Sequence, residues 1–138
     1  MKIFICCSKS FYDKISPIKK ILEDSGHEIT LPISYNEPGK EASFTPGSAE
    51  YLTWKAATIR EHEVKIRPQD GILVLNFEKN GQPNYIGGAT FLEVFKAFEL
   101  NKKIFFYNPL PDGILHDELL GMNPLVINGD LSLINLTN

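Results

Sequence analysis

Cysteine is scarce in this 138-residue chain, and the two that occur, Cys6 and Cys7, are neighbours. Successive side chains of a strand point to opposite faces, so these two are not expected to bridge each other. The lack of a disulfide framework fits a reducing compartment, and we predict a cytoplasmic protein. The N-terminal apolar run IFICC is too short for a secretion signal or a membrane span, so no membrane association is expected.

Basic charge is also sparse, because 14 Lys and Arg stand against 17 Asp and Glu, a net charge of −3. The short pairs Lys19-Lys20 and Lys102-Lys103 are too small for a phosphate-backbone footprint, so no nucleic-acid polymer is expected as a partner. Neither GxGxxG after the first apolar run nor GxxxxGK[ST] is present, which disfavours dinucleotide and P-loop sites. Glu61-His62-Glu63 lacks metal-ligand spacing, since adjacent helical residues face different ways, so no metal site is predicted.

The composition that remains is ordinary for a globular protein, with 43% hydrophobic and 22% charged residues. The length predicts a single domain over residues 1–138. Continuous apolar runs typical of strands buried on both faces alternate with amphipathic segments. We therefore predict an α/β fold, a flavodoxin-like or Rossmann-like three-layer sandwich around a parallel sheet with strand order 2-1-3-4-5. Its strands are predicted near 2–7, 27–32, 71–76, 103–107 and 125–128, and its helices near 11–25, 48–67, 89–101 and 115–120.

In parallel sheets of this kind, ligands bind beyond the carboxyl ends of the strands, where the strand order reverses. The rule selects three loops, 8–12, 76–90 and 108–113, and the proline- and glycine-rich segment 33–47 is a further candidate functional loop. Helix capping or ordinary loop chemistry also accounts for several of the polar residues there. The candidate substrate-binding residues are Ser8, Ser10, Tyr12, Asn76, Tyr85, Gly87, Gly88 and Thr90.

Glu93 follows the Gly87-Gly88 turn inside a phenylalanine-rich helix, and two interpretations of it compete. Thr90 and Glu93 form a T-x-x-E pattern typical of a capping box, and the apolar stripe of Phe91, Phe95 and Phe98 leaves Glu93 aside. Alternatively, a helix N-terminus at the ligand edge of the sheet directs the carboxylate into a site and keeps it ionised. We predict the second, with Glu93 as a catalytic residue.

Asp70 is the second candidate acid, and it directly precedes the third predicted strand. A turn acid is the alternative interpretation, because the amino end of a strand lies far from the ligand edge.

The chain resembles the nucleoside 2-deoxyribosyltransferase superfamily, which includes 2′-deoxynucleoside 5′-phosphate N-hydrolases. The segments that carry the resemblance are KIFICCSKSFYD, GHEITLP, RPQDGILVLN, the Gly-Gly turn with FLEVFKAFEL, and NKKIFFYNP. Together they span most of residues 2–108.

The resemblance implies that Glu93 is a nucleophile that attacks C1′ of a deoxyribose, while Asp70 helps to protonate the leaving base. It also implies that Tyr12 lies near the nucleophile and that the protein is a homodimer acting on a small nucleoside or nucleotide. Because a carboxylate alone can trap C1′ during glycosidic cleavage, no cofactor is expected. Transferases of the family carry a further acid where this chain has Gly87. The predicted activity is therefore N-glycosidic cleavage or base exchange on a 2′-deoxynucleoside or its 5′-monophosphate.

Two other function classes stay open at this point. A non-catalytic nucleotide-binding module is favoured by Gly87, and a small flavodoxin-type carrier is weakly supported by Ser8 and Ser10 after the first strand.

Overall fold

Five short strands form one sheet in the computed structural model, which describes residues 1–136. All pairings are parallel, and the order is β2-β1-β3-β4-β5, as the sequence predicts. The α/β class and the strand order are therefore confirmed. Each strand is shorter than the range predicted for it. The strands are β1 (Lys2–Cys6), β2 (Glu28–Thr30), β3 (Gly71–Val74), β4 (Lys103–Phe106) and β5 (Leu125–Val126).

Four helices cover the sheet: α1 (Ile15–Asp24), α2 (Ala49–Ile66), α3 (Gly88–Glu99) and α4 (His116–Gly121). Three 3₁₀ segments, Lys9–Lys14, Glu41–Ser43 and Leu131–Leu136, lie between or after them. Helix α1 begins at Ile15, so Pro17 lies in its first turn. Proline is tolerated there because the first helical turn has N–H groups without intrahelical partners.

The three central strands, β1, β3 and β4, are largely buried, and their side chains alternate between the two faces of the sheet. Ile3, Ile5 and Leu73 pack beneath α1, whereas Phe4, Ile72 and Phe106 pack beneath α2, α3 and α4. Cys7 belongs to the first face and Cys6 to the second, and both thiols are free. The alternation thus separates the two cysteines as expected.

No helix within residues 1–136 is both long enough and apolar enough to cross a bilayer.

Candidate functional site

A cavity of about 440 Å³ opens at the carboxyl edge of the sheet, beside the point where β1 separates β2 from β3. Its wall comes from the segment after β1, the segment after β2, the loop before α3 and one face of α2. This is the location that the strand order predicts for a ligand site. Eight of the ten candidate site residues line it: Ser8, Ser10, Tyr12, Tyr85, Gly87, Gly88, Thr90 and Glu93.

Asn76 does not line the cavity, although it ends the apolar run of β3. Its side-chain amide donates to the carbonyl oxygens of Asn108 and Pro109 at 3.1 and 2.8 Å, and its Oδ1 accepts the Asn108 N–H at 2.9 Å. The Asn108 side chain in turn donates to the Asn76 carbonyl at 3.0 Å. This reciprocal pairing, the Asn76–Asn108 clasp, holds the chain after β4 against β3. The predicted loop 108–113 accordingly contributes nothing to the cavity wall.

Asp70 lies at the amino ends of the strands, whereas Glu93 lines the cavity at their carboxyl ends. Its carboxylate accepts the Lys2 backbone N–H at 2.7 Å, and its backbone joins β1 and β4 through Lys2 and Lys103. The four residues of β3 that follow it span about 13 Å at the usual rise of a strand. Asp70 therefore joins the amino ends of three strands, and the structure does not bring it together with Glu93, against the sequence-based expectation.

The start of α3 differs from the predicted capping box. Gly87 is the N-cap residue, which places Thr90 and Glu93 inside the helix rather than at its cap. The buried face of α3 consists of Thr90, Glu93, Val94 and Ala97, whereas Phe95 and Phe98 are 42% and 46% exposed. The capping interpretation of Glu93 is therefore wrong, as is the phenylalanine stripe taken for the buried face.

Burial controls the ionisation of Glu93. Its side chain is 7% exposed, and it makes no hydrogen bond or ion pair among the described residues. Desolvation raises the pKa of the carboxyl to about 8, so its proton is retained at neutral pH. The helix N-terminus was expected to keep this group ionised, but its field fades beyond the first turn and burial prevails.

The charge of Glu93 contributes to the raised pKa of two other side chains in the cavity wall, Cys7 and Tyr12. Burial raises the pKa of the Cys7 thiol to about 12, with Glu93 as the next cause. The pKa of Tyr12 is raised by burial first, then by the charges of Cys7 and Glu93. Both groups keep their protons at neutral pH, so they offer hydrogen bonds and van der Waals surface rather than a base or a thiolate nucleophile.

Helix α2 supplies cavity residues that the sequence analysis missed. Trp54, Thr58 and His62 recur every fourth residue, so they share one face of the helix, and all three line the cavity. His62 is 6% exposed, and its pKa is lowered by burial and by the charges of Lys55 and Lys96. The spacing was visible in the sequence, but Leu52 and Ile59 suggested another face; they are 58% and 40% exposed.

The segment 33–47, a candidate functional loop by sequence, contributes Ile33, Ser34 and Glu41 to the cavity wall. Glu41 pairs with Lys9 at 2.9 Å and Lys55 at 3.3 Å, and the bond to Lys9 is the main cause of its lowered pKa. This cluster ties the segment to the residues after β1 and to α2.

No three metal-ligating side chains come together among the described residues. A depression of about 390 Å³ beside Phe98 and Leu125 is lined by neither a carboxyl group nor an imidazole. The cavity with Glu93 combines a buried carboxyl and a buried imidazole with the location that the strand order predicts, so we take it as the candidate functional site.

No protein-family model and no curated protein matches the chain. Among solved structures, it is similar to a 2-deoxyribosyltransferase from the psychrotolerant bacterium Bacillus psychrosaccharolyticus, with 19% identity and a TM-score of 0.55. That similarity covers 83% of this chain and 77% of the other, and at this identity it shows a shared fold alone. FerB, a flavoenzyme NAD(P)H:(acceptor) oxidoreductase from Paracoccus denitrificans, is 13% identical with a TM-score of 0.46, over 91% and 73% of the two chains.

Proposed function

We propose that the cavity binds a 2′-deoxynucleoside or its 5′-monophosphate and cleaves the N-glycosidic bond, with Glu93 as the nucleophile. The placement of Glu93 carries the proposal. It is a carboxyl held in the wall of a cavity at the ligand edge of the sheet, with no hydrogen-bond partner among the described residues. The fold shared with a 2-deoxyribosyltransferase supports the same class of reaction.

The other wall residues suit the parts of such a substrate. The rings of Trp54, Tyr12 and Tyr85 offer apolar faces on which a base can stack, an interaction worth about 1–3 kcal/mol. Hydroxyl groups for a sugar come from Ser8 and Ser10. A 5′-phosphate would meet the N-terminus of α3 and three lysines: Lys9, Lys55 and Lys79.

The chemistry requires no cofactor. Cleavage of an N-glycosidic bond passes through an oxocarbenium-like state, which a carboxylate traps as a glycosyl ester. Because Glu93 retains its proton at neutral pH, it must ionise before it attacks C1′. Water then releases the sugar, whereas a second base would complete a transfer.

A nucleotide-binding module without turnover is the second candidate. The observation in its favour is the position of Asp70, the acid expected to protonate the leaving base. Asp70 lies at the amino ends of the strands, away from the cavity.

The test is incubation with a panel of deoxynucleosides and their monophosphates, with and without a free acceptor base, followed by chromatography. We expect release of base, or its exchange when an acceptor is present. Glu93→Gln should lower turnover by at least about a hundredfold, because an amide cannot form the glycosyl ester. Glu99→Gln, an exposed carboxyl on the same helix, is the matched control and should stay near wild type. Binding without turnover across the panel would favour the module instead.

We also propose that the protein is a cytoplasmic homodimer. Two buried free thiols are compatible with a reducing compartment, and exposed apolar side chains on α2 and α3 offer a surface for a second copy.

A further inference from the structure

We infer that His62 is the proton-transfer residue of this site: it takes the proton of Glu93 and delivers it to the leaving base. This inference rests on the proposed function. Asp70 is too far from the cavity to protonate the leaving base, and His62, in the cavity wall, takes that role instead.

The geometry is the first support. Three polar side chains in the cavity wall are more than nine-tenths buried: His62 at 6%, Thr90 at 2% and Glu93 at 7% exposure. None makes a hydrogen bond with another described residue. Within that part of the chain, however, no side-chain nitrogen or oxygen is both fully enclosed and without a partner. The polar atoms of His62 and Glu93 therefore reach the open space of the cavity, from two helices that pack on each other.

At neutral pH, His62 and Glu93 together hold one exchangeable proton, and it lies on Glu93. Burial, Lys55 and Lys96 favour the neutral imidazole, while burial favours the protonated carboxyl. Neutral histidine accepts a proton and its cation donates one, which suits a shuttle. Charged and titratable groups surround the two side chains from each element of the wall and from α3: Cys7, Lys9, Tyr12, Glu41, Lys55, Lys79, Tyr85 and Lys96.

The protons balance through one cycle. His62 takes the proton of Glu93, the resulting carboxylate forms a bond to C1′, and the C1′–N bond breaks with its electron pair on the base. The imidazolium protonates that nitrogen and becomes neutral. Water then attacks C1′, the ester bond breaks, and the water proton returns through His62 to Glu93. The net reaction adds one water across the glycosidic bond.

Other cavity groups fit the role less well. Cys7 and Tyr12 hold their protons too tightly, and Lys9 and Lys55 are paired with Glu41. Thr90 has no proton to exchange near neutral pH.

The test compares two leaving groups in wild type, His62→Gln, His62→Asn and Glu93→Gln. One substrate is the deoxynucleoside cleaved best in the panel. The other is 4-nitrophenyl 2-deoxyribofuranoside, whose phenolate leaves without a proton. At about pH 8, where much of Glu93 ionises unaided, we expect both His62 variants to lose about a hundredfold or more on the nucleoside, the usual size of general acid catalysis, and less than tenfold on the nitrophenyl substrate. Glu93→Gln should lose activity on both.

The pH profile is the second readout. Wild-type turnover of the nucleoside should fall above about pH 8, where the shared proton is lost. Turnover of the nitrophenyl substrate by His62→Gln should instead rise with pH up to that value, because Glu93 then needs only to ionise. His116→Gln, outside the cavity, is the matched control, and circular dichroism checks folding.

The outcomes separate the two proposals. If wild type cleaves neither substrate, the proposed function and this inference both fail. If Glu93→Gln is inactive while a folded His62 variant keeps more than a tenth of nucleoside turnover, only the role of His62 is overturned. An equal loss on both substrates would also overturn it, because it would indicate a positioning role.

Discussion

The buried carboxyl of Glu93 links the stability of this protein to pH. An ordinary glutamate loses its proton near pH 4.5, whereas Glu93 keeps it up to about pH 8. Between these values the folded state binds one more proton than the unfolded chain. The contribution of Glu93 to the free energy of unfolding therefore falls as pH rises, by about 1.4 kcal/mol per unit.

Glu93→Gln should remove this dependence. The variant is expected to be as stable as wild type near pH 5, and more stable by a few kcal/mol near pH 8, since burying a charge costs roughly this much. Urea unfolding of both proteins at pH 5, 6.5 and 8 measures the difference. Glu78→Gln, an exposed loop carboxyl, should leave the slope unchanged. Equal slopes for wild type and Glu93→Gln would show that Glu93 ionises normally.

At the scale of single elements, the contact between β3 and β4 depends on a glycine. A Cβ built on Gly71 would lie 2.9 Å from the Lys103 carbonyl oxygen and 3.1 Å from the Lys103 Cβ. Both neighbours belong to a paired strand, so they cannot move away without weakening the sheet.

Gly71→Ala is therefore expected to lower the free energy of unfolding by about 1–3 kcal/mol, the usual cost of overpacking a core. Gly39→Ala is the control, because no atom lies within 4 Å of its added methyl group. Denaturant unfolding of both variants measures the effect. A Gly71→Ala variant as stable as wild type would mean that the strands separate more easily than this register implies.

The strands could be predicted from the sequence, but the buried faces of the helices could not. The sheet and its order were predictable because the central strands β1 and β3 are largely continuous apolar runs and helical patterns separate the strands. The faces of α2 and α3 were not, because hydrophobicity alone selected Leu52, Ile59 and the phenylalanines, which stay partly exposed. The buried faces carry His62 and Glu93 instead, and only the folded packing of α2 on α3 reveals that both line one cavity.

For the whole molecule, the outstanding prediction is its assembly. Helices α2 and α3 pack on each other and expose six large apolar side chains, which together offer a surface for another protein. We expect light scattering to give twice the 15.5 kDa mass of one chain. Phe95→Glu should shift the mass toward the monomer, since a charge would be buried against the second copy. The side chains concerned are Leu52, Ile59, Val64, Leu92, Phe95 and Phe98.

Ile114→Glu is the control for that experiment, because Ile114 is 94% exposed and belongs to neither helix. A monomeric wild type at micromolar concentration would contradict the dimer while leaving the cavity and its proposed chemistry unaffected.

The Asn76–Asn108 clasp has a consequence for how this chain can diverge. Each asparagine side chain pairs with backbone groups of the other residue, so replacing one alone leaves partly buried backbone groups of its partner unpaired, at about 1–3 kcal/mol. Because the unpaired groups belong to the main chain, which no substitution at the partner position removes, each asparagine should be retained in its own right among descendants of this sequence. The chain after β4, which the clasp holds, does not line the cavity. Substitutions that change substrate preference can therefore occur without altering the clasp. New specificities can arise on the β1 side of β3 while the β4 side stays the same.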